Sequence, residues 1–266
     1  MSKNDRTLYL AVGINEFKNF PHSTLNGCVN DAMNMARFFE SAMPNATGQI
    51  LTDSMATRSK VMSNLAKMSE IANQDRSVKR LAISISSHGS QVFDIDRDEF
   101  DELDECVLLH DTALAYGAID RKTVIVDDDL YQYLQGIPAR VRVEFFLDSC
   151  FSGTGVRLLP SSAKGRPRYL QNPAASCMPK RVYRFKRHDQ QENVVLWTGC
   201  SDKETSADAE IGGKYHGAMT YAFLKAYKPE LCRRSILSKM RGWLAREGYS
   251  QSPQLECKTA DKVQCI

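Results

Sequence analysis

The chain has 266 residues, 42% hydrophobic and 25% charged, with a formal net charge of +3. That length suits one large domain or two small ones, and the charge is too small to argue for nucleic acid as a partner. There is no run of about 18 apolar residues, so no membrane span is expected.

The N-terminus, Met1-Ser-Lys-Asn-Asp-Arg6, leads straight into a strand-like run without the apolar core of a signal peptide. The eight cysteines (28, 106, 150, 177, 200, 232, 257 and 265) form no Cys-x-x-Cys pair. Free thiols in a reducing compartment, the cytoplasm, are therefore expected.

Thr7–Ile14 reads as a first central strand ending near Gly13. Asn30-Asp31 opens a helix to about Met43, with Ala32, Met35, Ala36 and Phe39 at helical spacing. A short strand at Gln49–Thr52 precedes a helix capped by Thr57, with Val61, Leu65, Met68 and Ile71 on one face. The strand Lys79–Ser86 delivers His88-Gly89. Residues 94–105 hold eight Asp/Glu against a single Arg97 and read as a solvated acidic loop, with cation binding or attraction of a basic substrate as alternatives. Cys106–His110 and Thr123–Val126 return as small strands, and Asp127-Asp128-Asp129 begins a helix closed by Gly136-Ile-Pro138.

Val141–Leu147 is an apolar run, rich in β-branched and aromatic residues, that stops at a polar turn holding Cys150. In an open α/β sheet, ligands bind beyond the carboxyl ends of the strands. A thiol and an imidazole at two such ends, 62 positions apart, suggest a nucleophile and its base. Residues 156–188 carry nine Lys/Arg and read as a long exposed basic connection. Asn193–Thr198 resumes the core as a strand, followed by helices at Gly217–Tyr227 and Ser235–Arg246 and a last strand at Leu255–Cys257. Strands alternating with helices predict an α/β fold with a mainly parallel central sheet and helices on both faces.

Seven segments in order resemble the metacaspase and orthocaspase branch of the caspase-like cysteine peptidases. They are Leu25–Ala32 (LNGCVNDA), Ser86–Gly89 (SSHG), Asp101–Glu105 (DELDE), Ile125–Asp128 (IVDD), Asp148–Gly153 (DSCFSG), Gly199–Asp208 (GCSDKETSAD) and Gly217–Ala222 (GAMTYA). The resemblance implies a single caspase-like domain over 1–266, in bacterial style. It has a larger part (1–155), a basic connection (156–192) and a smaller part (193–266).

It implies a cysteine endopeptidase with a dyad of Cys150 as nucleophile and His88 as base, and the amides of Gly89 and Cys150 as oxyanion donors. It places the first specificity pocket at Cys28, Asp31, Ser86 and Asp148, acidic enough to select Arg, then Lys. Ser149 is expected to support the turn, and His22, His110, His188 and His216 to stand outside the chemistry.

Asp127 and Asp128 match a pair that binds calcium in many relatives. Arg157, however, stands where the family has an acid, so calcium is not expected as a requirement. Self-processing within the basic connection, or a cut there by an upstream protease, would activate the enzyme; a plain solvated loop is the alternative. Family members act in stress, cell-death or defence pathways. A catalytically silent caspase-fold scaffold is the competing reading. The expected partners are peptide or protein substrates with Arg or Lys at the cut, with no membrane or nucleic acid; a monomer is expected.

Overall fold

The strands of this chain bury both faces, which is why they read as continuous apolar runs instead of alternating ones. In β1 (Arg6–Gly13), Leu8, Leu10 and Val12 enter one core layer while Tyr9 and Ala11 enter the other. The same division holds along β3 (Val78–Ser86) and β9 (Arg142–Asp148), where Ile83 and Phe145 face the first layer and Ala82 and Phe146 the second. The computed structural model describes residues 4–93, 103–151, 165–174, 192–200 and 206–266.

The central sheet has six strands in the order β14-β11-β9-β3-β1-β2, with β2 at Ala46–Thr52, β11 at Val194–Thr198 and β14 at Gln254–Glu256. All neighbours run parallel except β14, an antiparallel edge. The expected α/β architecture is therefore found. One layer is closed by α2 (Arg58–Gln74) and α3 (Asp127–Gln135), which bring Val61, Leu65 and Leu130 to the sheet. The other is closed by α1 (Cys28–Ala42), α4 (Ala218–Ala226) and α5 (Arg233–Arg246). There Phe223 meets Phe146 and Trp197 edge-on, at centroid distances of 4.7 and 5.4 Å. A second sheet joins β4 (Gly89–Phe93), β5 (Leu103–Leu108) and β8 (Val124–Val126), and a third joins β10 (Arg166–Pro167), β12 (Ala207–Ile211) and β13 (Lys214–Gly217).

Three expectations are corrected. Helix α1 starts at Cys28, not Asn30, because the Asn15 side chain accepts the Cys28 and Val29 amides (2.9 and 3.3 Å) and Asp208 accepts those of Asn26 and Gly27 (2.8 and 2.9 Å). These distant side chains satisfy the orphan amides of its first turn, a device no local pattern records. Asp104 and Glu105 do not belong to a solvated loop but are buried in β5, where Arg121 pairs with Asp104; residues 94–102 lie outside the described residues. Within the connection, Arg168 and Asn172 are fully buried, contrary to an exposed segment.

Candidate active site

Register puts the two candidate residues side by side. Strands β3 and β9 pair Ser86 with Asp148, and His88 and Cys150 each stand two residues beyond that pair. The chain leaving β3 is held by Ser87, whose Oγ donates to the Leu108 carbonyl at 2.7 Å, and by the Leu108 amide donating to the His88 carbonyl at 2.9 Å. Phe17 packs its ring against the imidazole with centroids 5.2 Å apart.

His88 is buried, and its Nε2 lies 2.8 Å from the Ser23 carbonyl. A carbonyl can only accept, so the neutral ring carries its proton on Nε2 and keeps a lone pair on Nδ1. Nδ1 meets no hydrogen-bond partner among the described residues. Burial lowers the imidazole pKa to about 4, against the pull of the Ser23 carbonyl. The ring is therefore neutral at pH 7. Cys150 is also buried, its Sγ donating to the Ser206 carbonyl at 3.4 Å and accepting from the Ser206 amide.

The Gly89 and Cys150 amides point at one atom. Both donate to the carbonyl oxygen of Arg168, at 3.0 and 3.2 Å. The Arg168 side chain fills a fully buried acidic cage: Nη2 lies 2.7 Å from Asp31 Oδ2 and 3.0 Å from Asp208 Oδ1, and Nη1 lies 3.3 Å from Asp148 Oδ2. Burial works against its charge, but the surrounding acids outweigh this and raise its pKa well above the usual value. Burial also raises the pKa of the Asp31 carboxyl, opposed by Arg168.

The flanking backbone is strand-like. The Arg168 amide donates to Ser206 (3.0 Å), β10 pairs antiparallel with β12, and beyond Arg168 the Leu170 amide donates to the Gly89 carbonyl (3.0 Å).

Of the residues expected to form the pocket, Asp31 and Asp148 contact Arg168 directly. Cys28 is buried within electrostatic reach of it, and Ser86 is buried beside Asp148 across the β3–β9 pair. Asp208 was not expected, although it closes the GCSDKETSAD segment; its role depends on β12 folding back over the strand ends. Ser23 was missed as well, because it acts through a backbone carbonyl. Ser149 Oγ is buried without a hydrogen bond among the described residues. His216 lies 3.8 Å from Asp31, behind the cage.

Among the described residues, no group of three His, Cys, Asp or Glu side chains is arranged to hold a metal. Asp127 is buried, and Asp128 is paired with Arg121 at 3.3 Å, so a cation placed there would meet a guanidinium. Arg157, on which the expectation about calcium rests, lies outside the described residues. No helix among the described residues is long and apolar enough to cross a membrane.

A parallel sheet with a thiol and an imidazole at adjacent strand ends defines a class of α/β proteins organised around a cysteine. The chain belongs to the caspase family: the family model described as "Caspase domain" matches residues 6–264. This is a family of cysteine-type peptidases, and its substrates are proteins. Metacaspase-1 of Coccidioides immitis is 30% identical, aligning with 93% of this chain and 60% of its own length. Metacaspase-1A of Aspergillus niger is 28% identical, with 93% and 69% covered. The chain thus spans about two thirds of these relatives. Among solved structures, a Geobacter sulfurreducens protein matches with a TM-score of 0.69 at 27% identity, covering 98% of this chain and 97% of that one. Caspase-1 from Spodoptera frugiperda matches with a TM-score of 0.60 at 13% identity, over 96% and 87%, a likeness of fold.

Proposed function

We propose that the chain is a cysteine endopeptidase that cleaves after Arg, and less well after Lys, through a dyad of His88 and Cys150. The observation that carries this reading is Arg168. One of the chain's own arginines lies in the acidic cage while its carbonyl accepts from both amides beside Cys150. That is the arrangement a substrate needs.

His88 Nδ1 takes the thiol proton and the thiolate attacks the carbonyl carbon. The Gly89 and Cys150 amides stabilise the oxygen as it becomes anionic. The imidazolium then protonates the leaving amine, and water hydrolyses the thioester. Ser23 fixes the ring tautomer throughout. A planar guanidinium matches carboxylates placed on both of its terminal nitrogens, which a lysine ammonium cannot do as well.

Calcium is not required in this reading, because Arg121 occupies the acidic surroundings. The protein acts as a monomer in the cytoplasm, in a stress, death or defence pathway. A cut in the connection activates it, made by the enzyme itself or by an upstream protease.

The test is hydrolysis of paired fluorogenic peptides ending in Arg or Asp, by wild type and Cys150→Ala, with calcium or EDTA. Arg cleavage that is lost in the variant and indifferent to EDTA is expected. Cleavage that persists in Cys150→Ala refutes the dyad, and silence of the chain both before and after limited trypsin has cut its connection refutes the reading and favours the scaffold.

A further inference from the structure

At the end of β9 opposite to Cys150, two more thiols meet. Cys232 caps the start of α5, and it stands across an isolated antiparallel bridge from Cys265. The Arg233 amide donates to the Gln264 carbonyl at 3.0 Å, so the hydrogen bond lies beside the bridge and the two cysteines form a non-hydrogen-bonded pair. In such a pair the Cα atoms are about 4.5 Å apart and the side chains share one face. A disulfide spans Cα separations of roughly 4.4–6.8 Å, so the bond would need little movement of the backbone.

Both thiols are free, Cys265 exposed and Cys232 half-buried, whereas Cys28, Cys106, Cys150 and Cys257 are buried. Ser235 Oγ lies 3.2 Å from Cys232 Sγ. Hydrogen bonds from the Ser235 hydroxyl and amide, helped by Arg234, hold the Cys232 pKa below the usual thiol value. The thiolate is the form that attacks an oxidant.

The neighbouring contacts show what such a bond would fasten. Arg233 Nη1 donates to the carbonyls of Asp261 and Gln264 at 3.2 and 3.3 Å, and Arg142 pairs with Asp261 at 2.7 Å. Arg233 also pairs with Glu144 of β9. The segment 261–265 is thus held to α5 and β9 by polar contacts, and a bond at its end would close the same attachment covalently.

We propose that Cys232 and Cys265 are a peroxide-responsive thiol pair whose disulfide clamps the C-terminal segment to the start of α5 and leaves Cys150 reduced. The Cys232 thiolate attacks one peroxide oxygen, the O–O bond breaks, and hydroxide leaves and takes up the proton lost by that thiol. The resulting sulfenic sulfur is attacked by the Cys265 sulfur, and the sulfenic hydroxyl departs with the Cys265 proton as water. The two thiols give up two electrons and two protons in all, and the peroxide becomes two waters. The site is independent of the peptidase reading.

The experiment treats the purified full chain, freed of reductant, with equimolar hydrogen peroxide, for wild type, Cys232→Ser, Cys265→Ser, Ser235→Ala and Cys150→Ala. Remaining thiols are blocked with iodoacetamide, peptides are mapped by mass spectrometry with and without reduction, and melting temperatures are measured for both forms. A Cys232–Cys265 disulfide is expected, seen as the loss of two hydrogens. It should form at a rate independent of protein concentration, be reversed by dithiothreitol and persist in Cys150→Ala.

The bond should raise the melting temperature by about 5 °C, a rise absent from either serine variant. Ser235→Ala should slow its formation on the order of threefold. A disulfide joining either residue to Cys177, Cys200 or Cys257, or linking two chains, would overturn the assignment, as would survival of both thiols while Cys150 is consumed. An unchanged melting temperature would overturn the clamp, and an unchanged rate in Ser235→Ala the role given to Ser235.

Discussion

The acidic cage makes unequal demands on its members, and Asp31→Asn separates recognition from support. Asp31 Oδ2 makes the shortest contact to Arg168, 2.7 Å, while its other obligation is to accept the Gly217 amide at 2.9–3.0 Å. Asparagine can still accept that amide through its carbonyl oxygen but loses the charge. A hydrogen bond to a charged group contributes about 1.5–3 kcal/mol, so kcat/KM for an Arg peptide should fall roughly 10- to 150-fold.

Asp148 is different. Its carboxylate accepts from Thr220 N and Oγ1 (2.9 and 2.7 Å) and from Ser206 Oγ, and approaches Arg168 only at 3.3 Å. Asp148→Asn would turn an NH2 toward one of those donors, so it should lower the melting temperature as well as activity. The assay is kcat/KM for peptides ending in Arg, Lys or Gln, run in the Arg168→Ala background so that the pocket is open to added peptide. An Arg-to-Gln preference unchanged by Asp31→Asn, or an Arg rate within about threefold of its parent, would refute the electrostatic account of the pocket.

Three further outcomes are expected. The His88 pKa is depressed in the fold, so above pH 6.5 the ring is neutral whether the chain is folded or not. As pH falls toward the folded value of about 4, the unfolded chain takes up a proton that the folded one refuses, and stability is lost. Between pH 7 and 5 the wild type should lose about 2 kcal/mol more than His88→Gln in urea titrations; equal losses would contradict the buried neutral ring.

Glu144→Ala leaves Arg233, its fully buried partner, without its counter-charge and removes the acceptor of Trp197 Nε1, so about 3–5 kcal/mol of stability should be lost. A denaturation midpoint near that of wild type would count against this. Gly217→Ala would set a methyl against Asp148 Oδ2 and the Arg168 guanidinium. Arg-peptide hydrolysis should be lost while iodoacetamide still alkylates Cys150 in the Arg168→Ala background, and undiminished hydrolysis would show that this glycine does not wall the pocket.

The strands and helices of the central layers were legible because each carries its own signal. The runs ending at Gly13, Ser86 and Asp148 are apolar on both faces, and the repeats in α1, α2 and α5 place Met35, Leu65 and Met240 toward the sheet. His88 and Cys150 were legible for the same reason, since a strand that ends in a polar turn announces what it displays.

Asp208 and Ser23 were not. Their roles come from segments far away in sequence, one folding back through β12 and the other through a carbonyl that any residue would supply. Asp104 and Glu105 misled because a run of carboxylates reads as solvated until Arg121 is placed against one of them.

Arg168 sits deepest in this second group. In the sequence it is one of nine basic residues in a connection that looks exposed, and nothing in its neighbours marks it. A buried guanidinium is tolerable only where carboxylates and acceptors already surround it. The cage built from α1, β9 and β12 is such a place, with Asp31, Asp148 and Asp208 each within 3.3 Å. The burial of Arg168 therefore follows from the cage and not from its neighbours in sequence: three carboxylates supply the charge that the guanidinium gives up water to meet.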